Sequence, residues 1–164
     1  MKTTFLTILL VFSIFIYSQE KNSINDKFES PQGKLQKEWV EEKDIEEFQG
    51  KKFIGSLEIY VPNADEKLVP IKLGFMCETN VFAELEMSAK KINRIHIKAN
   101  FETMKRIKNI YTYTPKRIDI TYNQENKGWF VNVIYAAQND YGALKNGTSL
   151  LIFDNDGNFV KSMF

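Results

Sequence analysis

Between Phe53 and Phe153 apolar side chains return at every second position in one segment after another, and this period of two constrains the fold more than any other feature. Successive side chains of an extended strand point to opposite faces, so alternation marks a segment with one buried and one wet face. Phe53, Gly55, Leu57, Ile59 and Val61 form the first run, which Pro62-Asn63-Ala64-Asp65 breaks. Val69, Ile71, Leu73, Phe75 and Cys77 form the second, and the short polar turn between the two predicts an antiparallel hairpin. Pro70 has no N–H for a ladder, which predicts an edge position or a strand start there. Val81, Ala83, Leu85 and Met87 predict a third strand, Ile95, Ile97 and Ala99 a fourth, and Ile118, Ile120 and Tyr122 a fifth. Trp129, Val131, Val133, Tyr135 and Ala137 make the strongest run. Its other face, with Phe130, Ile134 and Ala136, is also largely apolar, which predicts a central strand covered on both sides. Leu150 to Phe153 reads as the last buried strand, followed by an Asn155-Asp156-Gly157 turn into Phe159 and Val160.

Helical signals are fewer. Leu35, Trp39, Ile45 and Phe48 stand among many charges ahead of Gly50, which predicts a helix within 34–49. Asn100 is a candidate N-cap for a second, short helix carrying Phe101, Met104, Ile107 and Ile110 at three-residue intervals. About seven strands and one or two helices predict an α+β domain dominated by an antiparallel sheet, spanning residues 34–164.

The N-terminus predicts an address. Lys2 precedes an almost unbroken apolar run from Phe5 to Tyr17, and small Ser18 precedes the polar stretch beginning at Gln19. That is the layout of a secretory signal peptide over residues 1–18, because a run this short falls below the ~20 residues that span hydrocarbon. No cysteine lies near the cleavage point, so a lipoprotein anchor is not expected, and export to the periplasm or the medium is. No later segment is long and apolar enough to predict a membrane span. Residues 19–33, polar apart from Ile24 and Phe28, read as a flexible leader. Loss of residues 1–18 removes Lys2 and no carboxylate, which takes the formal net charge from +1 to zero. Such balance gives no footing for nucleic acid as a partner.

The C-terminal third resembles a known ending. Gly128-Trp129-Phe130-Val131-Asn132-Val133, then Ala137-Gln138-Asn139-Asp140-Tyr141-Gly142-Ala143, then Leu151-Ile152-Phe153-Asp154-Asn155-Asp156-Gly157-Asn158 are similar to the close of small exported cystatin-like or NTF2-like domains. The resemblance covers roughly residues 100–160 and implies a long strand, an Asn-x-aromatic-Gly turn and a closing hairpin, with a sandwich-like sheet as the other architecture. It carries over no catalytic residue, because this superfold hosts enzymes, inhibitors and binding modules alike.

Each candidate chemistry has an ordinary structural counterpart. Asp154-Asn155-Asp156-Gly157-Asn158 has the start of a calcium loop but no room for its twelfth-position Glu, so it predicts an Asp-Gly turn. Asn146-Gly147-Thr148 matches a glycosylation pattern, and Asn-Gly more strongly predicts a hairpin turn. Cys77 shares the parity of Leu73 and Phe75 and is expected to be buried, with a disulfide between chains as the alternative. His96, the only histidine, is expected on a polar strand face between Arg94 and Lys98, with a general-base role beside Asp119 as the alternative. Tyr111, Tyr113, Tyr122 and Tyr141, with His96, form the candidate binding set: the tyrosines, together with Trp129 and Tyr135, could line a sheet face that holds a ligand. No metal site, cofactor or nucleophile motif is expected.

The functional expectation is an exported, non-catalytic module that binds a protein or small ligand. An inhibitor or immunity-type protein is the second reading, for which Glu41, Glu42, Asp44, Glu46 and Glu47 supply an acidic stretch. An NTF2-like enzyme is the third, and it requires His96, Asp119 or Asp140 to face a closed cavity.

Overall fold

The computed structural model describes residues 37–163, so the predicted signal peptide and the polar leader lie outside the described residues. Among these residues seven strands pair in the order of the sequence: β1 Glu46–Phe48, β2 Lys51–Pro62, β3 Leu68–Glu78, β4 Thr114–Asn123, β5 Gly128–Gln138, β6 Leu144–Phe153 and β7 Phe159–Ser162. All neighbours are antiparallel except β3 and β4, which run parallel over Lys72–Met76 and Arg117–Thr121. Parallel neighbours need a long crossover. Two helices provide it, α1 Thr79–Glu84 and α2 Ala89–Met104. The result is an α+β fold with a mostly antiparallel open sheet.

Both helices replace predicted strands. Val81, Leu85 and Met87 do alternate, yet Val81 lies in α1 and Leu85 closes it; Ile95, Ile97 and Ala99 lie in α2. The competing signal is the N-cap at Ser88, whose hydroxyl accepts from Lys91 N–H at 3.3 Å. The Glu42 carboxylate accepts from Ala89 N–H at 2.8 Å as well, so two donors at the helix start are satisfied and a negative charge meets the positive end of the dipole. Asn100 is therefore not an N-cap but a buried residue within α2, and a single 3-10 turn, Ile110–Thr112, occupies the end of the helix predicted to follow.

The helix predicted within 34–49 is also overturned. The described part of that segment runs extended, with one 3-10 turn at Glu42–Asp44 before β1. Long-range polar links hold it: Tyr60 N–H donates to Lys37 C=O at 2.8 Å, and Asn93 grips Val40. An internal clamp, Lys37 Nζ on Asp44 at 2.6 Å, closes the strap.

Among the described residues only one sheet face has a helix over it. Ile92, Ile95 and Ala99 of α2 meet Ile71, Leu73, Phe75, Ile118, Ile120, Val131 and Leu151 in one core. Trp129 is wholly buried on this face, 5.7 Å from Phe75 and 4.9 Å from Tyr122 between ring centroids. β5 is interior to the sheet, but its Phe130 and Ile134 are half-buried on a face that no described helix covers, which corrects the expectation of cover on both sides. Pro70 pairs with Tyr60 of β2 just before the β4 pairing begins at Lys72, so its missing N–H costs the sheet no bond on the β4 side. Asn146-Gly147 is not a turn; it lies inside β6. The hairpin closes instead at Asn139–Gly142, where Asn139 Oδ1 accepts from Tyr141 N–H and Ala143 N–H, each at 3.0 Å. The Asp154–Asn158 turn is present as predicted, with Asp154 Oδ1 accepting from Asp156 and Asn158 N–H.

Candidate functional site

The uncovered face is read directly from strand register, because residues opposite one another share a face. One cross-strand row is Phe53, Met76, Thr121, Phe130, Ile152 and Lys161. The next is Gly74, Asp119, Asn132 and Leu150, and beyond it Lys72, Arg117, Ile134 and Thr148. Phe53, Phe130, Ile134, Leu150 and Ile152 are half-buried and Met76 is 46% exposed, so a broad apolar surface faces outward. A groove of about 350 Å³ crosses it beside the β2 irregularity, between Phe53, Met76 and Thr121. Arg117 Nε donates to Asp119 Oδ2 at 2.6 Å on its rim. That ion pair lies across Gly74, where a Cβ would collide with the Asp119 carboxylate.

The predicted binding residues do not assemble into one site. Tyr113 is buried, donates its hydroxyl to Asn100 Oδ1 at 2.8 Å and stands 5.6 Å from Tyr135, ring to ring. Tyr122 packs on Trp129 and donates to Asn155 Oδ1 at 3.2 Å, beside a cleft of about 340 Å³ that Lys51 and Cys77 also line. Tyr111 and Tyr141 are the exposed members, at 76% and 94%. The contact of Gln138 N–H with Thr112 Oγ1, at 2.9 Å, brings the Tyr111 turn to the β5–β6 hairpin that carries Tyr141. A shallow groove of about 230 Å³ at this end has Arg106, Lys108, Asp140 and Lys145 in its wall, and neither tyrosine lines it.

His96 is not on a polar surface but inside, at 1% exposure on α2. Asn93 Oδ1 is fixed as an acceptor by its exchange with Val40, so His96 Nε2, 3.0 Å away, carries the ring proton and donates. Nδ1 is bare and has no partner among the described residues. Burial pushes the pKa down to about 3, and the ring is neutral at ordinary pH. Asp119 is paired with Arg117, and Asp140 with Lys108 at 2.8 Å, and neither carboxylate bonds the histidine, whose partner is Asn93. Cys77 is buried as expected, and burial with the nearby Glu78 charge raises its thiol to about 12. No three metal-binding side chains cluster among the described residues, and no described helix is long and apolar enough to cross a membrane.

Sequence reasoning missed the open face because its apolar residues are the second parity of strands whose first parity is the core. Phe130, Ile134 and Ile152 were visible as apolar, but only register shows that they align with Phe53 and Met76. Comparison with protein-family models, with curated proteins and with solved structures finds no match to this chain.

Proposed function

We propose that the chain is an exported binding module that engages a protein of its compartment through the uncovered sheet face. The observation that carries the reading is the row Phe53, Met76, Thr121, Phe130 and Ile152, apolar except at Thr121, which leaves apolar surface on the side of the sheet opposite α2. Contiguous outward apolar surface rimmed by polar groups is the usual mark of a contact site. Arg117 and Asp119 beside the row provide polar direction without net charge, in keeping with a chain whose formal charge falls to zero once residues 1–18 are removed. Support for export comes from the Lys2, Phe5–Tyr17 and Ser18 layout.

The test is co-purification after crosslinking in the native envelope fraction, comparing the natural chain with a Phe130→Asp, Ile152→Lys double variant. A stoichiometric partner held by the natural chain and released by the variant supports the reading. A natural chain that is monomeric, with the same background proteins as the variant, removes it. Intact mass reports export: retention of residues 1–18 removes that part.

A further inference from the structure

β6 is paired along its length on one side and along little of it on the other. It pairs with β5 from Leu144 to Phe153, whereas β7 pairs only with Leu151–Phe153. Met163 N–H donates to Leu150 C=O at 2.9 Å, so the backbone groups of Leu150 point away from β5. Because N–H and C=O of a strand residue point the same way and alternate along the chain, those of Leu144, Asn146 and Thr148 also point outward. Among the described residues nothing bonds them, and all three residues are exposed. An unpaired edge of this kind is a template for another strand.

The chemistry beside the edge selects the occupant. The groove of about 230 Å³ on the helix side has Tyr135 and Gly147 in its wall, with Arg106, Lys108 and Lys145 around it. A Cβ at Gly147 would collide with the Tyr135 ring, so glycine alone lets the ring lie against β6 with no side chain between it and the edge. Arg106 is balanced by Glu102 and Lys108 by Asp140, while the Lys145 ammonium has no ion-pair partner among the described residues. On the other face Lys116 Nζ donates to Asn146 Oδ1 at 2.8 Å. Two copies joined edge to edge would set these lysines against each other, whereas a carboxylate-bearing strand would neutralise them. We propose that the β6 edge binds an extended acidic peptide as an added strand, its backbone on Leu144, Asn146 and Thr148 and an acidic side chain reaching Lys145 over Gly147.

The site is separate from the open sheet face, and its test does not draw on that reading. Fluorescence anisotropy would follow a labelled peptide of about ten residues alternating Val and Glu, titrated with the full chain at low salt. The peptide is expected to bind, to lose affinity at least roughly tenfold when its alternate amides are N-methylated, and to do the same with Thr148→Pro, which removes one outward N–H. Lys145→Glu is expected to weaken binding, and a Val-Lys peptide not to bind. Absence of binding overturns the proposal. So does binding that N-methylation leaves unchanged, the mark of a polyanion held by charge alone, or a dimer in light scattering that Thr148→Pro dissolves. If Thr148→Pro fails to fold, the N-methylated peptide on the natural chain decides the matter.

Discussion

Asn93 and Val40 exchange two hydrogen bonds: Val40 N–H donates to Asn93 Oδ1 at 2.8 Å, and Asn93 Nδ2 donates to Val40 C=O at 2.9 Å. A side-chain amide thus stands in for a neighbouring strand, and it ties the extended strap to the buried side of α2. Asn93 Oδ1 accepts from His96 Nε2 at the same time. Asn93→Leu leaves the Val40 backbone pair and the His96 donor without partners in a buried site. The cost is about 2–4 kcal/mol, since each stranded group bears its desolvation penalty with no hydrogen bond to offset it. Urea unfolding measures it, and a loss below about 1 kcal/mol shows that the strap frays without consequence.

His96 makes stability fall with acidity. Its folded pKa is pushed down to about 3 from an ordinary 6.5 by burial. Between those values the unfolded chain binds a proton that the folded chain refuses, so unfolding free energy drops as pH is lowered through that window. From pH 7 to pH 5 the loss is on the order of 2 kcal/mol. Asp44, Glu47, Glu102 and Asp154, all held below their usual range, add to acid sensitivity only at lower pH. His96→Gln keeps a donor for Asn93 and flattens the profile between pH 7 and pH 5. Equal slopes in the two proteins locate the titration elsewhere.

Two glycines separate close approach from mere presence in a strand. At Gly128 an added Cβ would sit 2.8 Å from the Phe153 carbonyl oxygen, a backbone atom that can retreat only by moving β6. At Gly55 nothing lies within 4 Å. Gly128→Ala is expected to cost about 1–3 kcal/mol, whereas Gly55→Ala is neutral or adds up to about 1 kcal/mol by restricting the unfolded chain. Denaturation midpoints of the pair check this, and equal shifts in both contradict it.

The strands β3 to β5 were legible because period two and core burial coincide along them, as Ile71, Ile118 and Val131 show. In β2 the irregularity between Ile54 and Leu57 breaks the expected face, so Ile59 and Val61 are buried while Ile54 takes the core place and Phe53 turns to the open side. α2 was not legible because its buried face is half polar. Asn93, His96, Asn100 and Thr103 occupy positions where a helical stripe would show apolar residues, and Ile95, Ile97 and Ala99 then alternate by coincidence. Asn93 and Asn100 are satisfied by partners far along the chain, Val40, Pro62 and Tyr113, which no local pattern can announce. The same distance hid the strap, since its backbone is held to the rest of the fold by Asn93 and Tyr60. The Asn146-Gly147 turn signal was strong locally and lost to two facts: Asn139 already closes the hairpin, and Tyr135 requires a glycine opposite it.

Trp129 is the packing centre that both strand pattern and structure point to, and Trp39 provides its internal contrast. Trp129 is fully buried among Phe75 and Tyr122, while Trp39 is 52% exposed. Its Nε1–H has no partner among the described residues, so the ring contributes through area and stacking and not through a hydrogen bond. Trp129→Phe therefore costs less than Trp129→Ala, which opens a cavity worth about 3–5 kcal/mol. Iodide is expected to quench the emission of the Trp129→Phe protein, which retains Trp39, and to spare that of Trp39→Phe, which retains Trp129. Equal quenching of the two would place Trp129 at the surface and remove the basis for the stability difference.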